Sequence, residues 1–300
     1  MEIRFADMLE YLNRFSHLST RLSDFYFRMK DCAYVGAYED DVPVGFLQYE
    51  KAGNCFEVLT ICTENAESRE AMLRALCVAA AKENGLVRWR IVSQNLIGNA
   101  ECRTEDAELA EKIGFRRGNT VHLFGVRPAV MDWEAFTRLT DTLRKMSDRM
   151  KRAGFSLCPF FELTKEQLAY ICDNPEHEFA SFLRSGDYIS GKGGTFDDKI
   201  SAVALKNGKP VAYTVIRAPG GHGCIVENIS VAEAYRKTGV LAVVLSYTLD
   251  MLGESDYHSM TFAVYENNVA SYSIMRKWVT PILTSEKIQY NYEYGKNPLR

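Results

Sequence analysis

Short apolar runs broken by polar turns fill this chain, and they recur in the same order in two halves. In the first half, β-rich residues 33–38 and 42–49 flank Glu39-Asp40-Asp41, which predicts a hairpin. In the second, residues 200–205 and 210–217 flank Asn207-Gly208, a two-residue hairpin turn. An apolar strand follows in each half, at 55–62 and 224–231, and each leads into helical periodicity, at 67–82 and 240–252. Then come a strand (87–93; 260–265), a short helix (106–113; 269–277) and a β-rich tail (120–126; 281–292). Corresponding strands start at 55 and 224 and at 87 and 260, so the offset is nearly constant. Residue identity between the halves is low, so the repeat is one of pattern.

Between the halves, Trp133, Phe136, Leu139, Leu143, Met146 and Met150 fall at helical spacing. Asp132 suits an N-cap, Arg149, Lys151 and Arg152 suit the last turn, and Gly154 suits a stop. This predicts an amphipathic connecting helix packed on one or both halves.

Composition narrows the setting. The 300 residues are 47% hydrophobic and 25% charged, as in ordinary globular proteins, and their number suits two domains. A net charge of −3 gives no basic field for nucleic acid or an acidic membrane. No apolar run approaches a membrane span. Asp7, Glu10 and Arg14 interrupt any signal-peptide core. The eight cysteines form no CxxC and the five histidines complete no zinc pattern, so no metal is expected. Buried, reduced thiols and a cytoplasmic address are the expectation.

The most informative stretch is Val231 to Leu241. A strand enters a helix there through a turn carrying Arg236, Lys237 and Gly239. The free N–H groups of a first helical turn, the helix dipole and a close backbone approach at glycine together favour an anionic phosphate.

From Phe155 onward the chain resembles the GNAT (Gcn5-related N-acetyltransferase) superfamily. Val231, Tyr235, Arg236 and Gly239 match the hydrophobic-x-x-x-hydrophobic segment and Arg/Gln-x-x-Gly-x-Gly/Ala turn of that family, with Leu241 in the last Gly/Ala place. Asn268, Ser271, Ile274 and Lys277 match the later helix. Met275 stands where the family usually has a tyrosine as general acid, and Val279-Thr280 replaces a Gly-Phe ending. The resemblance implies a twisted mixed sheet whose central parallel strands splay apart around acetyl-CoA. The pantetheine arm would pair with 228–231, the pyrophosphate would sit on amides from Arg236 to Ala242, and the amine substrate would enter from the opposite side. The implied cofactor-binding residues are Ile229, Ser230, Val231, Arg236, Lys237, Thr238, Gly239, Val240, Leu241, Ala242 and Asn268.

The first half resembles the same fold without the turn. Residues 63–70 contain no glycine, and Glu64, Glu67 and Glu70 lie where a phosphate would bind, so these carboxylates are expected to cap the helix and repel CoA. Residues 109–115 keep the family's later helix ending. The expected fold is therefore α/β with two tandem GNAT-like domains. Residues 1–127 form a degenerate domain, 128–153 the connecting helix and 154–300 the acyl-CoA-binding catalytic domain. Mycothiol synthase-like and FemX-like proteins are similar in this tandem plan.

Glu227 is the candidate general base. Period-two alternation puts it on one strand face with Ile229 and Val231, and partial burial would raise its pKa. The alternative is a strand carboxylate paired with a nearby Arg or Lys. Tyr272 and Tyr265 are candidates for general acid, with packing aromatics as the alternative. A leaving thiolate that takes its proton from water or the amine is a third option. His222 in its turn reads as a substrate contact or a solvated loop residue, and Cys224 as a buried thiol. Residues 186–195 nearly spell a nucleotide P-loop, but Gly193 replaces the Ser or Thr and the element order is wrong. They read as a loop over the acceptor or a plain connection.

The expected activity is direct acyl transfer from acetyl-CoA to a primary amine of a small molecule or peptide. The alternatives are a CoA-binding or sensing protein without catalysis, and a FemX-like transferase using aminoacyl-tRNA, for which the net charge offers no basic groove. No nucleic acid or membrane partner is expected, and the chain is read as a monomer with an internal pseudo-dimer or as a homodimer.

Overall fold

The computed structural model describes residues 1–6, 32–63, 65–93, 105–173, 196–218 and 222–295. In chain order the elements are β1 (Glu2–Ala6), β2 (Cys32–Glu39), β3 (Val42–Ala52), β4 (Cys55–Cys62), α1 (Ala66–Lys82), β5 (Leu86–Val92), α2 (Glu105–Ile113) and β6 (Arg116–Val126). There follow α3 (Trp133–Arg152), β7 (Phe155–Pro159), α4 (Lys165–Asp173), β8 (Phe196–Lys206), β9 (Lys209–Arg217) and β10 (Gly223–Val231). The last are α5 (Leu241–Gly253), β11 (Ser259–Tyr265), α6 (Val269–Ile274) and β12 (Ser285–Tyr294). Two compact units result. The first holds residues 1–121, 265–267 and 287–300, and the second 122–264 and 268–286.

In the first unit the strand order is β1-β2-β3-β4-β5-β12-β6. The predicted β2–β3 hairpin turns on Asp40 and Asp41, both at positive φ (49° and 63°), as a type I′ turn requires. Strands β4 and β5 run parallel from Cys55↔Leu86 to Val58↔Trp89. Helix α1 lays Met72, Leu73 and Leu76 on Val35, Leu47, Val87 and Trp89 to form the core.

Strand β12 departs from the sequence reading, which gave the whole tail to the second domain. Residues Gln289–Tyr294 pair antiparallel with β5, and Tyr292 is buried in the first unit's core with Tyr290 and Tyr294 packed beside it. Pairing covers the edge of β5, and the alternating tyrosines supply the apolar face.

In the second unit the order is β6-β11-β10-β9-β8-β7. Alternation along β8 splits its core. Ala202 and Ala204 meet Met150 of α3 and Val240, Val243 and Val244 around the start of α5, whereas Val203 and Leu205 meet Ile171 and Cys172 of α4. The β8–β9 turn uses Asn207 and Gly208 at φ 52° and 76°. Helix α3 is thus one of this unit's own layers and not a separate connector. Asp132 caps it, accepting from the Ala135 N–H at 2.9 Å, and Arg144 pairs with Asp250 of α5 at 2.7 Å. The helix predicted over 269–277 is α-helical only to Ile274. Met275–Val279 form a π-turn and Thr280–Ile282 a 3₁₀ turn that contains Pro281. A π-turn adds a residue to the helical circuit, and Pro281 has no N–H to continue the α ladder.

The seven cysteines among the described residues are free thiols. No helix among the described residues is long and apolar enough to cross a membrane.

Candidate functional site

The site is built where β10 leaves β11. Parallel pairing runs from Gly223↔Ser259 to Val226↔Phe262 and stops, while β10 continues to Val231. On its other side β10 stays paired with β9, through a bulge between Val226↔Ile216 and Asn228↔Val215. Glu227 is the extra residue of that bulge. The Ala232 N–H donates to Val211 O at 2.9 Å. Antiparallel alternation then gives the backbone groups of Ser230 and Asn228 to β9, and turns those of Ile229 and Val231 toward the edge that β11 has left.

The bulge breaks the alternation that the sequence predicts. Val231 packs with the start of α5, and Ile229 pairs with Thr214, whose hydroxyl meets Thr248 of α5 at 2.7 Å. Glu227 instead bonds Arg217, the neighbour of Ile216, and Ile216 packs with Leu252 of α5. Glu227 therefore faces away from α5, on the opposite side from Ile229 and Val231. One inserted residue shifts side-chain parity. Nor is Glu227 an unpartnered buried carboxylate. Its Oε2 accepts from Arg217 Nε at 2.8 Å, and both side chains are 33% exposed.

Beyond Val231 the chain makes a 3₁₀ turn, Glu233–Tyr235, and enters α5 through residues 236–240. Gly239 has φ +89°, a conformation that L side chains resist. A Cβ there would only touch Met146 Cε at 3.5 Å, so the dihedral and not crowding calls for glycine. Thr238 Oγ1 donates to Tyr235 O and accepts from the Val240 N–H. No side chain caps α5. The N–H groups of Lys237, Gly239 and Leu241 have no acceptor among the described residues. Arg236 and Lys237 are exposed, and Arg236 Nε reaches Val231 O at 3.4 Å. Val240 and Ala242 are buried, and Leu241 packs partly against the core, which turns its side chain off the amide face.

The equivalent place in the first unit is already filled. Asn65 caps α1, its side chain accepting from the N–H groups of Glu67 (2.8 Å) and Ser68 (3.4 Å). The glutamates were expected to cap this helix, but an amide oxygen does so, because it reaches the first-turn N–H groups from the cap position. Glu70 is taken by Arg74 and Lys112, and Glu64 lies outside the described residues. Parallel pairing of β4 with β5 also stops, after Val58↔Trp89, and the extra residue of the β3–β4 bulge is Leu59. Leu59 thus occupies the topological place of Glu227.

On α6, Asn268 is the N-cap, its Oδ1 accepting from the Ser271 N–H at 3.2 Å. Its side chain thus serves the helix. Tyr272 belongs to a polar cluster that sequence reading missed. Its hydroxyl oxygen accepts from Arg276 Nε (3.0 Å) and Nη2 (2.8 Å), and Arg276 also donates from Nη1 to Glu286 Oε2 at 2.8 Å. Glu286 Oε1 lies 3.2 Å from His122 Nδ1, and the His122 ring packs 4.7 Å from that of Tyr272. His122 and Glu286 are 5% and 7% exposed. Only the Tyr272–Arg276 spacing, i to i+4 on a helix, is a local signal. Met275 packs in the same core as Tyr272. Tyr265 ends β11, is exposed, and falls in the first unit.

His222 stacks on His258 with ring centroids 4.6 Å apart, beside a shallow recess lined by Asp197, Ser255, Asp256 and Tyr257. This lies at the end of β10 remote from the turn. Burial and nearby Asp197 push the Cys224 thiol up to about 12, which fits a packing thiol. Residues 186–195 lie outside the described residues. No cluster of three or more metal-ligating side chains occurs among the described residues.

Residues 158–278 match the acetyltransferase (GNAT) family. No curated protein sequence matches the chain. Among solved structures it is similar to a tandem GNAT protein from the clavulanic acid biosynthesis pathway, with TM-score 0.64, 12% identity and 100% of both chains covered. It is also similar to a GCN5-related N-acetyltransferase from Sphaerobacter thermophilus, with TM-score 0.64 and 11% identity over 92% of this chain and 85% of that one. A GNAT-family acetyltransferase from Colwellia psychrerythraea matches with TM-score 0.51 and 13% identity over 98% of this chain and all of that one. At these identities the likenesses describe the fold.

Proposed function

We propose that this chain, whose residues 158–278 match the GNAT family and whose fold is similar to that of a tandem GNAT protein, is an acyl-CoA-dependent N-acyltransferase acting on a primary amine, with acetyl-CoA as donor. One observation carries this reading. The strand that opens away from its parallel partner leads directly into a basic turn with Gly239 at positive φ and amides without acceptors among the described residues. An anion fits there, because three N–H groups, Arg236, Lys237 and the helix dipole all favour negative charge.

The residues that would hold acetyl-CoA are Ile229 and Val231, whose backbone groups face the open strand edge on either side of Ser230, and Arg236 to Ala242 around the turn. The bound cosubstrate supplies an acyl group activated as a thioester. Glu227 takes the proton of the acceptor ammonium, through Oε1, the oxygen that Arg217 does not hold. Tyr272 is the proton donor. Arg276 occupies both acceptor positions of its hydroxyl, which leaves the O–H free to point elsewhere. Calorimetric titration of the full chain with acetyl-CoA tests the reading, and binding weaker than millimolar overturns it.

A second reading, a CoA-binding protein without catalysis, is favoured by Met275 in the family's tyrosine place and by the Arg217–Glu227 ion pair. If neither wild type nor Glu227→Gln acylates any member of an amine panel while acetyl-CoA still binds, this second reading holds.

A further inference from the structure

Arg217 and Glu227 form an ion pair with capacity left on both partners. The Arg217 guanidinium uses Nε, on Glu227 Oε2. Its Nη1 and Nη2 have no acceptor, and Glu227 Oε1 has no donor, among the described residues. Arg217 closes β9, Glu227 is the bulge residue of β10, and both face away from α5 where β10 parts from β11. An exposed ion pair of this kind contributes little to stability. A guanidinium edge with two free nitrogens is a fork for a carboxylate. The carboxylate oxygen beside it accepts from an ammonium. The pair therefore offers both receptors within the span of one ion pair, which is the complement of a zwitterion. An amine without a carboxylate would occupy Glu227 and leave the Nη edge of Arg217 without an acceptor.

We propose that the acyl acceptor is an α-amino acid, or a molecule that ends in one, with its ammonium on Glu227 and its carboxylate on the Nη edge of Arg217. This rests on the acyltransferase reading and adds the substrate class, making Arg217 the residue that determines specificity.

The test uses the full chain, acetyl-CoA and matched acceptors: leucine against isopentylamine, phenylalanine against phenethylamine, and lysine against cadaverine, read as release of free thiol. The expected result is kcat/KM about 10- to 100-fold higher for each amino acid, the scale of a charge-assisted hydrogen bond. In Arg217→Gln that ratio shrinks toward unity, and in Arg217→Lys it falls between the two. Amines used as well as, or better than, their amino acids by the wild-type protein overturn the proposal without any variant having to fold. If no acceptor of either series reacts while acetyl-CoA binds, the acyltransferase reading falls. The carboxylate site is then judged by equilibrium binding of N-acetylphenylalanine against N-acetylphenethylamine. Preference for the acid, lost in Arg217→Gln, sustains the site, and equal binding overturns it.

Discussion

Glu227 shows what a single inserted residue does. The sequence pattern places a carboxylate on this strand, and that much is legible, but the bulge decides which face it takes and which partner it meets. If Glu227 is the base and the turn holds acetyl-CoA as proposed, Glu227→Gln lowers kcat about 10²- to 10⁴-fold while acetyl-CoA affinity changes little. Stopped-flow acyl transfer with parallel calorimetry checks both. Of the cluster of Tyr272, Arg276, Glu286 and His122 only the Tyr272–Arg276 pair is local, and the rest escapes sequence reading because His122 meets Glu286 across 164 residues of chain. Buried thiols give another residue-scale prediction. Burial pushes Cys77 and Cys224 up to about 12 from an ordinary value near 9. Folded thiols that hold their protons more tightly than unfolded ones contribute stability below pH about 9, and it is lost as pH rises towards 12. Urea midpoints should therefore fall over that window, and less steeply in Cys77→Ala and Cys224→Ala.

At the scale of elements, the two helices that follow the parting strands differ in how they begin. Helix α1 is closed by Asn65, whereas α5 begins after Val240 with no side-chain cap. Asn65→Ala should cost about 1 kcal/mol of stability, measured by denaturant titration, and leave acetyl-CoA binding unchanged. Gly239→Ala should cost about 1–2 kcal/mol through its positive φ, and weaken acetyl-CoA binding by re-aiming the amides of the turn. Both hairpins were legible, because Asp40-Asp41 and Asn207-Gly208 carry the required dihedrals in their own residues. The π-turn at Met275–Val279 was not, since no local pattern separates it from a continuing α-helix.

At the scale of the whole molecule, chain order and unit membership part company. Tyr290, Tyr292 and Tyr294 follow the second half's other elements in the chain yet complete the first unit's core, and α3 belongs to the second unit although it precedes the second half of the pattern. A fragment starting at residue 154 should therefore express poorly or aggregate, because it lacks the α3 layer over Ala202 and Ala204 and exposes the tyrosines of β12. Soluble yield and cooperative melting of that fragment against the full chain measure this. Sequence alone determined the recurring order of hairpin, strand, helix and strand, the basic glycine turn in one half and its loss in the other, because each rests on residues adjacent in the chain. Tertiary structure decided which strand β12 pairs with, which face Glu227 takes and that Arg217 stands beside it. Strand pairing and ion pairing depend on distance in space, and the local pattern of apolar and polar residues is the same whichever partner is met.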